Sequence, residues 1–458
     1  MRPTLDKGFL PGIIELRKFK EDVSKYSNRQ HLIVAVERND GYVYRKEFDI
    51  FPDGVDDERN TFITERLIKT ILWVVGGFKI YIAGSRVVYK NIKDYYRVGG
   101  LREFDYDFWS TTFEREVEVI ESTYETIPEE RPSSEAAGGH LEGKRIGFDV
   151  GGSDLKVSAV INGEVIHSEE VVWNPKLNED INYHYENIHK ALMIGVDHLG
   201  GDVDAIGVSA AGVIVSDRPM VSSIFIKVPK KDFELVKYAY VNAGKRLEKE
   251  LGHKIPLVVA NDGDVTALAG AVDLKDNCVL GIAMGTSEAG GYVDKNGNLP
   301  GWFSELAFVP FDFSKDAIMD EWSKDIGVGA KYLCQDGVIK LLPAAGIEVD
   351  PSLTPAEKLV IVQELMKNDD PRAIEVFENI GVYFAYALAY YAEFYTIKHV
   401  IMLGRVTSGK GGDVILKTAK KCLEEDFPEY ANIHLTMPSE SMRRVGQSIA
   451  AASLPKID

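Results

Sequence analysis

The sequence predicts an α/β protein: a small α+β module followed by a larger unit with mostly parallel sheets. Three observations carry that expectation. Apolar strand-like runs alternate with amphipathic helical runs from residue 144 to 455, the pattern that lays helices over a parallel sheet. Two of those strand-like runs end in turns of small residues, at 151–153 and 285–287, and a third ends on the Asn-Asp pair 261–262 before a small-residue helix. Residues 129–140, Glu-Glu-Arg-Pro-Ser-Ser-Glu-Ala-Ala-Gly-Gly-His, have linker composition and set a boundary near 140.

In residues 1–140, the runs His31–Glu37 and Tyr42–Phe48 flank Arg38-Asn39-Asp40-Gly41. Asn, Asp and Gly tolerate positive φ, so this is a hairpin signal. Thr61 to Val75 places Phe62, Ile63, Leu67, Ile68, Ile71 and Leu72 at helical spacing, with Asn60 as the expected cap. Phe78–Gly84 reads as a strand ending at glycine. Strand, strand, helix, strand and glycine repeats the opening of the larger unit in miniature. The module is therefore either a degenerate copy of that unit or an unrelated α+β module. Tyr95, Tyr96, Tyr106 and Trp109 suit an interface or the module's own core. The module is expected to pack on the larger part or to mediate self-association. Its strand-rich sequence does not fit a three-helix DNA-reading head.

The larger unit opens on Ile146-Gly147-Phe148-Asp149-Val150-Gly151-Gly152-Ser153-Asp154-Leu155-Lys156. An apolar strand carries one acid, turns through two glycines and returns. Such a turn lets backbone N–H groups approach an anion, and Asp149 beside it suits a hydrated metal ion. Tyr183 to Leu199 and Leu235 to Leu251 read as helices, each followed by a strand. Val258-Val259-Ala260-Asn261-Asp262-Gly263 is a strand that ends on an Asn-Asp pair before a small-residue helix. Asp262 there is a helix cap or a rigidly held catalytic carboxylate. Val279 to Val293 repeats the strand, turn, strand pattern around Gly285-Thr286-Ser287. Ala373 to Tyr395 is a long apolar helix whose aromatic stripe is core or dimer interface before it is a ligand box. Ser439 to Leu454 reads as a final helix capped by Ser439, with Met442, Val445, Ile449 and Ala450 on one face.

Taken together, the two hairpins and the Asn-Asp strand end between them resemble those of the ROK family of sugar kinases, within the actin, Hsp70 and hexokinase superfamily. The resemblance covers residues 144 to 455. Ile206 to Gly212, Gly301 to Phe308 and Val400 to Gly409 look like the family's strand-and-glycine, sugar-binding and adenosine segments. Four departures stand out. Ser287 and Ala289 replace glycines, with Glu288 between them. Phe308 stands where the family has a histidine, and Arg405 where glycine is usual. The family's cysteine-rich zinc segment is absent.

The resemblance implies a two-lobed actin-like ATPase (ribonuclease H-like) kinase fold. Residues 144–265 and a returning helix at 439–455 would form one lobe, and 266–438 the other. It implies ATP and Mg²⁺ as cofactors and a sugar or sugar-like alcohol as acceptor. Asp262 would be the general base, with Asn261 and Glu305 binding acceptor hydroxyls. Gly151, Gly152, Ser153, Lys156, Gly285, Thr286 and Gly404 would hold the nucleotide, and Asp149 the metal. The competing readings are a non-catalytic sugar sensor with the same fold, or a kinase for another acceptor such as a polyol, an inositol or an amino sugar.

The formal net charge of −18 over 458 residues argues against nucleic acid and anionic membrane as partners. Three widely spaced cysteines, Cys278, Cys334 and Cys422, suggest buried free thiols and no zinc site. Met1 to Lys7 has no apolar signal core, and no run is long enough to span a bilayer. The expectation is a cytoplasmic homodimer.

Overall fold

In a computed structural model of the chain, residues 1–133, 138–439 and 446–457 are described. The first sheet contains β1 (Gln30–Glu37), β2 (Val43–Ile50), β3 (Lys79–Ala83) and β4 (Glu118–Glu121), in the order β2-β1-β3-β4. The hairpin turns where expected, with Asp40 at φ 59° and Gly41 at φ 70°. Helices α1 (Gly12–Ser24), α2 (Asp57–Val74), α3 (Arg86–Tyr95) and α4 (Glu103–Phe113) accompany it.

The second sheet contains β5 (Lys144–Val150), β6 (Asp154–Ile161), β7 (Glu164–Val172) and β8 (Ala205–Ala210). A side hairpin follows, β9 (Val213–Val215) and β10 (Arg218–Val221), and β11 (Leu257–Asn261) completes the sheet in the order β11-β8-β5-β6-β7. Helices α5 (Ile181–His198), α6 (Phe233–Lys237) and α7 (Ala239–Leu251) belong to this lobe. Helix α8 (Asp262–Leu274) leads to the third sheet. That sheet contains β12 (Val279–Met284), β13 (Glu288–Val293), β14 (His399–Leu403) and β15 (His434–Thr436), in the order β13-β12-β14-β15. Helices α9 (Gln335–Leu341), α10 (Pro355–Lys367), α11 (Pro371–Tyr391) and α12 (Lys410–Asp426) surround it, and α13 (Gln447–Ala452) closes the chain.

Both later sheets open alike. An antiparallel hairpin, β5/β6 or β12/β13, is joined by a parallel strand, β8 or β14. The first sheet does not follow this rule, because β1 pairs antiparallel with both β2 and β3. The idea that residues 1–140 are a degenerate copy of the lobe unit is thereby overturned. Helix α13 returns to the first lobe at close range. A Cβ at Gly207 would sit 1.6 Å from the Ala451 carbonyl oxygen, and one at Gly147 would sit 2.2 Å from that of Ser448. Glycine at both strand positions is what lets the helix backbone lie on the sheet.

The module of residues 1–133 does not stand apart. One contiguous core runs from Phe9, Phe19, Trp73 and Trp109 into Leu280, Tyr332, Tyr383 and Met402 of the second lobe. Tyr96 and Trp109 are buried in it, and Tyr95 and Tyr106 pack against it. The aromatics of α11 are buried there too, so its stripe is core. A buried ionic group joins the same two parts. Arg66 and Arg102 contact Asp325 at 3.1 and 2.8 Å, and Lys69 contacts Asp105 at 2.8 Å. With Glu65, three cations meet three anions, as burial of charge requires. Toward the first lobe the module offers Glu114, which pairs with Arg218 at 2.9 Å and with Lys237.

Several boundaries differ from expectation. Helix α2 starts at Asp57 and is capped by Asp56, whose side chain accepts from the Arg59 N–H. Asn60 lies inside the helix and bonds the Phe51 N–H and carbonyl instead, at 2.9 and 2.8 Å. The run Leu235 to Leu251 breaks at Tyr238 into α6 and α7. Helix α11 ends at Tyr391, and α13 spans only Gln447–Ala452. Met442 and Val445, expected on the last helix, lie outside the described residues. So do 134–137 of the expected linker, although Arg131 at its start exchanges backbone hydrogen bonds with Val43 at 2.8 and 2.9 Å. No helix among the described residues is long and apolar enough to cross a membrane. The three cysteines are buried and free.

Candidate functional site

The two small-residue turns lie at equivalent points of the two lobes, after β5 and after β12. In the first, the Gly151 N–H donates to the Asp154 carbonyl at 3.0 Å, and Gly152 and Ser153 are exposed. Trp173 braces the turn: its N–H donates to the Ser153 carbonyl at 3.1 Å and its Nε1 to the Gly151 carbonyl at 2.9 Å. Lys156 sits opposite Asp149 in the β5/β6 register, with Nζ 3.8 Å from Glu170.

A cation that sequence reasoning missed also lies on this turn. A Cβ at Gly152 would sit 2.9 Å from Cε and 3.0 Å from Nζ of Lys176. Lys176 arrives on a short 3₁₀ turn, Pro175–Leu177, whose Pro175 carbonyl is hydrogen-bonded to His184 Nε2 at 3.2 Å. No local pattern around Lys176 announces this, because β7 and Trp173 carry it there.

In the second turn, the Gly285 N–H donates to the Ser287 carbonyl and the Gly285 carbonyl accepts from the Gln335 N–H, both at 3.0 Å. Thr286 and Ser287 are exposed. Neither Ser287 nor Ala289 has positive φ, so neither position requires the glycine that the resemblance leads one to expect. Glu288 turns away from the loop. It is 2% exposed, accepts from the Tyr391 hydroxyl at 3.0 Å, and lies against Gly329. Burial pushes its carboxyl up to about 8, so at neutral pH it brings no negative charge to the turn.

Four carboxyls come together beyond the first turn. Asp149, half-buried near the end of β5, accepts from the buried Ser209 hydroxyl at 2.7 Å through Oδ1. Burial pushes its carboxyl up. Asp262 is the first residue of α8, and Oδ1 accepts from the Gly263 N–H at 2.9 Å. Burial and then the Asp149 charge push it up as well. Glu305 is raised to about 7 by burial and by Asp262. Asp264, which sequence reasoning also missed, is raised to about 8 by burial, with Asp262 and Glu305 adding to the rise. Its Oδ1 accepts from the Tyr292 N–H at 3.1 Å.

The helix cap is Asn261, not Asp262. Its Oδ1 accepts from the Gly263 N–H at 2.7 Å and its Nδ2 donates to the Gly212 carbonyl at 2.8 Å. Each end of the amide therefore already has a main-chain partner, and one further N–H and one lone pair remain for a ligand.

Hydrated Mg²⁺ is normally held through one or two carboxylates together with substrate phosphates. Asp149 fits that role, since its Oδ2 accepts no hydrogen bond among the described residues. No group of three or more metal-ligating side chains occurs among those residues, so a closed protein cage is not what the site offers.

Gly404 needs its glycine. Its φ is 104°, and a Cβ would sit 2.3 Å from the Met284 carbonyl. Gly404 helps line a cavity of about 520 Å³ with Leu403, Thr407, Ser408, Asp413 and Met437. The exposed Arg405 lines a separate groove against α10. Phe308 packs into an aromatic group, 4.6 Å from Trp73 and 4.7 Å from Trp322 between ring centroids.

The sequence matches no family model and no curated protein. Its structure is similar to that of a ROK hexokinase from Thermus thermophilus, at a TM-score of 0.52 and 16% identity, covering 68% of this chain and 97% of that one. It is also similar to a ROK family transcriptional regulator described as a homolog of the E. coli MLC protein. There the TM-score is 0.51 and the identity 15%, over 68% of this chain and 77% of that one. The chain thus has the two-lobed α/β actin-like ATPase fold found in the ROK proteins.

Proposed function

We propose that this protein is a ROK-type sugar kinase, transferring the γ-phosphoryl group of ATP to a hydroxyl of a sugar or sugar-like alcohol. The observation that carries the reading is Asp262: a carboxylate with raised proton affinity, directly after the end of β11, near enough to Asp149 to feel its charge.

In this reading the backbone N–H groups around Gly151 to Ser153 and Gly285 to Thr286 cradle phosphate oxygens, and Lys176 and Lys156 supply positive charge. Mg²⁺, held through its waters by Asp149, would neutralise phosphate charge when bound. Asp262 takes the proton of the acceptor hydroxyl as that oxygen bonds to the γ-phosphorus and the bond to the β,γ-bridging oxygen breaks. A base whose proton affinity lies nearer neutrality than an ordinary aspartate suits that task, at about 10²–10⁴-fold in rate. Glu305 and the free valences of Asn261 orient the acceptor. The Gly404 cavity takes the adenosine.

The similarity to a transcriptional regulator supports a second reading, a sugar sensor without transfer. Binding alone has no use for a paired Asp149 and Asp262, which favours the kinase. An ATP-consumption screen of the full chain against sugars, amino sugars and polyols tests the proposal, with Asp262→Asn as control. Consumption that depends on acceptor and on Asp262 is expected. Acceptor binding with no turnover for any compound would leave the sensor.

A further inference from the structure

One cavity borders the carboxyl cluster, with Asp264 and Asn261 among its lining residues. It measures about 560 Å³ and lies among the tip of the first hairpin, the outer edge of β11, the β9 segment and the loop Leu299–Phe303. Asp149, Asp262, Glu305 and the two glycine turns are not among its lining residues. A volume of this size is typical of small-molecule sites, which pair apolar walls with a few placed polar groups.

Arg38 is the unusual member of its wall. It is only 7% exposed. Nη2 donates to the Gly301 carbonyl and Nε donates to Asn39 Oδ1 at 3.2 Å, but the buried Nη1 has no hydrogen-bond partner among the described residues. A buried guanidinium N–H without an acceptor costs more than an unpaired neutral N–H does. Such a group is normally completed by an anion.

Asp40 and Asp264 lend Arg38 some charge stabilisation, but no acidic group among the described residues bonds Nη1. Asp264 bonds the Tyr292 N–H and is raised to about 8, so it is largely uncharged at pH 7. Asp217 accepts from the Val259 N–H at 2.8 Å on the β11 edge, and the exposed Asp40 accepts from Asn39 at 2.6 Å. Lys456, exposed near the chain end, adds a second cation to the wall and has no ion-pair partner among the described residues. Trp302 supplies an aromatic surface.

We propose that this cavity is a second ligand site, for a small organic anion bearing a carboxylate or a phosphate, whose charge is met by Arg38 and whose approach is favoured by Lys456. Asn261 also lines the cavity and caps the helix that begins at Asp262. An occupant therefore touches the strand end that carries the proposed base, which places the ligand where an effector would act.

The test is calorimetric titration and thermal unfolding of the full chain without nucleotide or acceptor, using inorganic phosphate, glucose 6-phosphate and citrate as probes. At least one probe is expected to bind and raise the unfolding midpoint. Arg38→Gln and Lys456→Glu should each weaken a binding component tenfold or more. Lys176→Gln, at the glycine turn, should leave that component intact, as should Asp262→Asn. If Arg38→Gln does not fold, Lys456→Glu decides. The proposal falls if no probe binds, if both cavity variants bind like wild type, or if the only binding is lost in Lys176→Gln. Because no turnover is measured, these outcomes are separate from success or failure of the kinase reading.

Discussion

The Glu305 N–H donates to the carbonyl oxygen of Trp73 at 2.9 Å, and the next pair, Ser304 to Val74, repeats the contact at 3.0 Å. The segment that carries the proposed acceptor-binding glutamate is thus held by the C-terminal end of α2, in the first module. The side chain of Trp73 is fully buried, and its Nε1 donates to Asp105 at 2.6 Å. Module and site are coupled through backbone, not only through packing.

Removing residues 1–133 should therefore destroy the fold of the second lobe. The deletion strips one side of a contiguous core and leaves Asp325 without Arg66 and Arg102. Expression of 138–458 should yield insoluble or unfolded protein by circular dichroism. A soluble, cooperatively melting fragment would contradict this.

Asp262→Asn should lower the transfer rate by ~10²-fold or more while the melting temperature stays within a few degrees. The amide keeps the volume, and its oxygen still accepts from the Gly263 N–H. Steady-state rates near wild type would remove Asp262 from the mechanism.

Lys176→Met should raise the KM for ATP about tenfold, roughly 1.4 kcal/mol of lost interaction, with the acceptor KM unchanged. Lys176→Arg should recover part of it, because a charge over Gly152 is what the position supplies. Equal loss of affinity for ATP and acceptor would instead mark a structural role.

Glu288→Gln should change the pH dependence of stability. Its carboxyl is raised in the folded chain from the ordinary 4.5 to about 8, so the folded state holds a proton that the unfolded state releases. Its contribution is most favourable below about 4.5 and erodes as pH rises toward 8, by an amount on the order of 1.4 kcal/mol per unit. The difference in melting temperature between variant and wild type should grow from pH 5 to pH 8 in favour of the variant. Parallel curves would mean that Glu288 is charged in the fold.

Glucose should not be the best acceptor. The Phe308 ring neither donates nor accepts a hydrogen bond, and it is packed among Trp73 and Trp322. An acceptor that lacks or masks the hydroxyl met there should have the higher kcat/KM, since an unpaired buried hydroxyl costs ~1–3 kcal/mol. A panel in which glucose ranks first would refute it.

The lobes were legible in the sequence because their signals are local: apolar runs, glycine turns, and an Asn-Asp pair at a strand end. What was not legible depends on where distant chain arrives. Asn60 reads as a cap, but the chain at Phe51 claims its amide and Asp56 takes the helix end. Glu288 reads as a charge beside the second turn, but the pleat of β13 aims it at Tyr391, and glycine-rich strands do not reveal their inward face. Lys176 joins the site only through tertiary approach, whereas Asp264 stands two residues after Asp262 on α8 and was legible by position but not by its burial. The module's aromatics read equally as interface or own core, and they belong to a core shared with residues that lie more than two hundred positions away.

The shared core also limits how this protein can be recombined. A module that merely caps a lobe can be exchanged between relatives as a cassette, with the join placed in a linker. Here Phe9, Trp73 and Trp109 fill the same interior as Tyr383 and Met402, so the seam of any chimera would run through packed side chains. Grafting these first residues onto another protein of the fold, or replacing them with a DNA-reading head, would require rebuilding the second lobe from inside. The variation open to this protein is the slow co-substitution of touching residues, not the shuffling of parts.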